Sequence, residues 1–220
     1  MKRAHGVRLM VSAAAVLLTA APAFGAVDPP VGPAPHRTTS ASSTEMPAVG
    51  TEVPSNMTGP NSVIEVPQGV ITADLTGGIK QKAEINPHQP NPTRSLLLRT
   101  TGFHLEGTSP DREFLVTIAL KGTDTLAESS LRMTSAHPPR FVEHDVILVT
   151  VTVERRDEPP LTLEAHAPLS LTCTGLTRFP PAANRFDLTQ PVDLFAPGST
   201  VPVGRIRALP TVRGAGPITP

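Results

Sequence analysis

Three residues combine side-chain type and placement in a way that could do chemistry: His104, Glu106 and His144. His104 and Glu106 stand two apart in a run of strand-forming residues, so both project from one face. An imidazole and a carboxylate placed like this can share a metal ion or pass a proton. His144 sits between Glu143 and Asp145 at the entrance to a second such run. The H-x-E spacing is common by chance, and nothing in the order of residues brings His144 to the other two. Solvent-facing histidines are therefore the expectation, and no catalytic residue, metal or cofactor is assigned.

Other reactive patterns are missing. The chain has no G-x-S-x-G or S-x-x-K nucleophile motif and no glycine-rich phosphate loop. Gly122-Thr123-Asp124-Thr125 resembles an aspartic-protease loop, yet Leu126 stands where that loop has Gly, and a solvated turn is the simpler reading. Cys173 is the sole cysteine and shares its face with Leu169 and Leu171, so it reads as a small buried hydrophobe without an intrachain disulfide. Trp and Tyr are absent, which disfavours stacking platforms for sugars or single-stranded nucleic acids. Lys+Arg and Asp+Glu are both 19, and a near-neutral chain has no electrostatic footprint for nucleic acid.

The elements that must position these groups read as strands. Apolar residues recur with period two in 79–85, 113–121, 145–156, 161–167 and 169–174. The run 145–156 is the purest, with Ile147, Val149, Val151 and Val153 on one face and Thr150, Thr152 and Glu154 on the other. It is expected to form the centre of the core. Weaker candidates lie at 62–66, 70–76, 95–105, 129–134, 186–188 and 201–209, separated by Pro, Gly and Asn turns. The only helical candidate is 123–132. The pattern predicts an all-β, antiparallel β-sandwich, with a small antiparallel β-barrel as the alternative.

The first residues read as an export signal: a basic start, an apolar run from Leu9 to Ala20, and small residues at Ala21-Pro22-Ala23 or Ala23-Phe24-Gly25 for cleavage. The expected organisation is a signal peptide at 1–25, a disordered Pro/Ser/Thr-rich linker at 26–60, the β-domain at 61–209 and a disordered tail at 210–220. The expectation is a secreted protein with no membrane span after cleavage, acting as a non-catalytic binding or interaction module. Its partner would be an extracellular protein or a small molecule, and not nucleic acid. One rival is a barrel whose inward residues, such as Phe114, Ile118, Val149 and Val151, line a cavity for an apolar molecule. The other is a hydrolase or isomerase using scattered His and carboxylates, with His104, Glu106 and His144 the first to test.

Overall fold

A computed structural model describes residues 44–124 and 128–215 of the chain. The described residues form strands and turns, with no helix. In chain order the strands are β1 (Glu52–Val66), β2 (Gly69–Ile85), β3 (Ser95–Thr108), β4 (Phe114–Leu120), β5 (Ser130–Ala136), β6 (Pro139–Ile147) and β7 (Val149–Arg155). They continue with β8 (Leu161–Ala165), β9 (Leu169–Leu176), β10 (Asn184–Leu188), β11 (Val192–Phe195), β12 (Pro202–Ala208) and β13 (Thr211–Ala215). All belong to one 13-stranded antiparallel sheet, as the alternation of apolar and polar residues requires.

The sheet returns on itself twice. Pairing of β12 with β1 closes a first ring through β1, β2, β3, β4, β7, β8, β11 and β12. Pairing of β3 with β5 closes a second through β1, β2, β3, β5, β6, β9, β10 and β13. The three shared strands are the long ones, at 15, 17 and 14 residues. At about 3.3 Å per residue each reaches roughly 50 Å, enough to serve one ring with each half. Residues 55–58 of β1 pair with β13, and residues 63–65 pair with β12.

Irregular positions on two of the shared strands keep both interiors on one side of this wall. In β1 the register shifts between Gly59 and Ser62, so the inward set changes from Val53, Ser55 and Met57 to Ser62, Ile64 and Val66. In β3 a shift near Thr101 changes it from Leu96, Leu98 and Thr100 to Phe103 and Leu105. An extra residue in one strand turns every later side chain over, and so restores the buried face where the strand bends. Gly77 and Gly107 allow close passage of the wall strands, because a Cβ there would strike the carbonyl oxygens of His104 and Asp74.

Four expectations about organisation change. The ordered domain begins by Glu52, inside the stretch 26–60 expected to be linker. Its prolines are accommodated: Pro54 lies before β13 starts to pair with β1, and Pro60 lies in the bulge, both places where a missing N–H costs little. The expected tail at 210–220 contributes β13, hydrogen-bonded between β1 and β10. The single strand expected over 145–156 is two, because β6 belongs to the second ring and β7 to the first, with Leu148 between them. Residues 130–132 of the helical candidate are strand β5. The proposed signal peptide lies outside the described residues.

Candidate functional site

The two rings have different interiors. The first is filled by aliphatic side chains, among them Ile64, Val116, Ile118, Val149, Val151, Leu163 and Leu194, all fully buried. Ile118, Val149 and Val151 therefore pack as core, and Phe114 is only partly buried, with the Arg155 guanidinium 5.5 Å from its ring centre. The second ring buries Phe141, Phe186, Leu131 and Met57 together with Ser55, Gln81, Thr100, Glu143, Asp145 and Arg213.

Arg213, Glu143 and Asp145 have no solvent exposure, and they form one cluster. Register explains the convergence: β6 directs Phe141, Glu143, Asp145 and Ile147 inward, while β13 directs Thr211 and Arg213 inward. Arg213 donates from Nη1 to Glu143 Oε1 and from Nη2 to Asp145 Oδ2. Gln81 of β2 donates from Nε2 to the other oxygen of Asp145 at 2.6 Å. The guanidinium lies over the Phe186 ring, with Cζ 4.3 Å from its centre, a favourable place for a desolvated cation. Arg213 Nε, Glu143 Oε2 and Thr100 Oγ1 are buried and have no hydrogen-bond partner.

Burial pushes the Glu143 carboxyl up to about 8, against the opposing pull of Arg213. Burial also raises Asp145, but Arg213 and Gln81 both act on its charged form. Burial thus favours the protonated form of both carboxyls, and the Arg213 guanidinium opposes it at each. Cys173 of β9 is paired with Glu143 across the ladder. Burial and the Glu143 charge push its thiol up to about 11, so it is an unreactive neighbour.

The residues singled out by type and spacing are elsewhere. His104 and Glu106 share the outer face of β3, half-exposed, with Nε2 and Oε2 3.9 Å apart. Together with Asn56, Thr58 and Thr76 they line a groove of about 360 Å³. His144 does not join them: it faces outward from β6 and its Nε2 lies 2.7 Å from Ser170 Oγ. Among the described residues no three His, Cys, Asp or Glu side chains are grouped to hold a metal. Asp124 accepts a hydrogen bond from the Thr100 backbone N–H at 2.9 Å.

Glu143 and Asp145 had a signal in the sequence, since they fall in phase with Phe141, Ile147, Val149 and Val151. Two acids on the face of an otherwise apolar run point to a buried polar site. Arg213 had none, because its flanks Gly214, Gly216 and Pro217 read as tail.

No protein-family model matches this chain, and no curated protein sequence does. Among solved structures the chain is similar to DynF from the dynemicin biosynthesis pathway of Micromonospora chersina, with a TM-score of 0.61 at 14% identity, over 83% of this chain and 88% of that one. The likeness is one of fold, and it places the chain with an all-β, barrel-like architecture.

Proposed function

We propose that this chain is an exported, non-catalytic binding protein whose second ring holds a small organic molecule through a hydrogen bond to Arg213 or Glu143. The observation that carries this reading is the contrast between the rings. Both close with the same number of strands, yet one is filled with aliphatic groups and the other with an ion cluster that leaves Arg213 Nε and Glu143 Oε2 unpartnered. Stability alone does not account for the second solution, because well-packed hydrophobic residues in place of a buried ion cluster are often equally or more stable. Unmet buried hydrogen-bonding groups in a closed β ring are what a ligand oxygen can satisfy. DynF belongs to the dynemicin biosynthesis pathway, and a chain of that fold that holds a small molecule is in keeping with such a setting.

The test replaces the cluster as a whole by Arg213→Met, Glu143→Met and Asp145→Leu. The wild-type chain, isolated from its own producing cells, is expected to carry an organic adduct in native mass spectrometry. The triple variant should fold with an equal or higher thermal midpoint and carry none. A wild-type chain without adduct, or a triple variant that retains it, removes the reading.

A further inference from the structure

We infer that the outer face of the shared wall carries a binding site for a divalent transition-metal ion of the zinc type, held by His104, Glu106 and Asn56. The inference is independent of the binding role given to the second ring. It starts from the ladder. Asn56 of β1 pairs with Gly78 of β2, and Gly78 pairs with His104 of β3. In the next outward row Thr58 pairs with Thr76, and Thr76 pairs with Glu106. Neighbouring strands lie about 4.8 Å apart, which sets Asn56 and His104 roughly 10 Å from each other at Cα. A side chain between them would fill the gap, and Gly78 has none. Here the groove of about 360 Å³ opens, with Asn56, Thr58, Thr76, His104 and Glu106 in its lining.

The donor set decides the ligand. His104 Nε2 and Glu106 Oε2 are 3.9 Å apart, too far for a hydrogen bond, whereas an ion held about 2.0–2.2 Å from each atom spans that distance. Asn56 Oδ1 is buried without a hydrogen-bond partner, and its side chain lines the same groove. An acceptor in that position costs free energy until something satisfies it, and a cation does so. One imidazole nitrogen with a carboxylate and an amide oxygen suits zinc and its first-row neighbours, with water completing the coordination. Calcium and magnesium prefer oxygen ligands throughout and match this set less well. Lys80, on the same face of β2, is held by Glu52 at 2.7 Å. An ion bound here ties β1 to β3 across β2, the three strands that both rings share.

The experiment titrates zinc chloride into the full chain, prepared without a histidine tag, and follows the heat by isothermal titration calorimetry. The wild type is expected to bind a single ion saturably, and zinc should raise its thermal midpoint because only the folded chain brings the three ligands together. His104→Gln and Glu106→Gln lie at half-exposed positions and leave the core intact. Each should weaken binding about tenfold or more, the scale on which even outer-shell partners of a metal act. Asn56→Ala should weaken it about threefold or more. His88→Gln, in an exposed turn, controls for the other histidines and should change nothing. Absence of saturable zinc binding overturns the inference. So does an affinity unchanged in His104→Gln or lost equally in His88→Gln, since either marks an adventitious ion only. Unchanged affinity in Asn56→Ala overturns the site spanning three strands. None of these outcomes bears on the organic adduct of the second ring, which is read separately.

Discussion

At Glu143 the folded chain holds a proton that the unfolded chain releases. Its carboxyl is pushed up to about 8 from an ordinary 4.5, so between these values the folded state binds more protons. The stability tied to that proton is complete below about pH 4.5 and is lost as pH rises toward 8. Burial raises Asp145 as well, which adds to the same sign. Urea midpoints should therefore fall from pH 5 to pH 8.5, and Glu143→Gln, which cannot ionise, should flatten much of that slope. A wild-type midpoint that is flat or rises across this window would contradict a protonated Glu143 in the fold. Arg213→Ala alone leaves Glu143 and Asp145 buried without their cation and is expected to cost about 3–5 kcal/mol in urea unfolding, in contrast to the full apolar replacement.

Strand β7 and strand β13 carry the element-scale predictions. Val151 is fully buried in the first ring, whereas Thr152 faces outward between Thr117 and Thr162 of the neighbouring strands. Val151→Asp should cost about 3–5 kcal/mol, and Thr152→Asp about 1 kcal/mol or less, as read from denaturant unfolding. Equal, severe losses would mean that the outer face of β7 is covered by another surface. For β13 the expectation is sharper because the strand sits between two others. A chain stopped after Pro210 loses the partner of residues 55–58 of β1 and of β10, and leaves Glu143 and Asp145 without their cation. Such a chain should accumulate as aggregate, since it exposes two unpaired strand edges. Recovery of soluble, monomeric protein with unchanged far-UV circular dichroism would show that β13 is dispensable.

Over the whole molecule, the shared wall couples the rings. Strands β1, β2 and β3 run through both, and the buried residues of both form one hydrophobic cluster. Neither ring can open without breaking the longest ladders of the other, so unfolding should be a single cooperative transition. The lone Cys173 reports on the second ring, where it is buried with its thiol held up to about 11, and circular dichroism reports on all strands. Thiol labelling and the dichroism signal should change at the same denaturant concentration. Cysteine exposure at clearly lower denaturant would mean that the second ring opens by itself.

The all-β class and the antiparallel arrangement were legible in the residue order, because a period of two is a local property that each strand carries alone. So were the inward positions of residues 147–153, and the placement of Cys173 among apolar neighbours. Strand ends and partners were not. Inward alternation runs without interruption from Phe141 to Val153, so nothing local marks the passage from one ring to the other at Leu148. The bulges in β1 and β3 reverse the alternation midway, which made two of the longest strands look weak or absent. The Arg213 cluster was decided by tertiary structure alone, since its members lie 132 and 70 residues apart along the chain and meet only when β13 completes the second ring. Long-range pairing places charge beside charge, and the price of burying them shows only once the ring is closed.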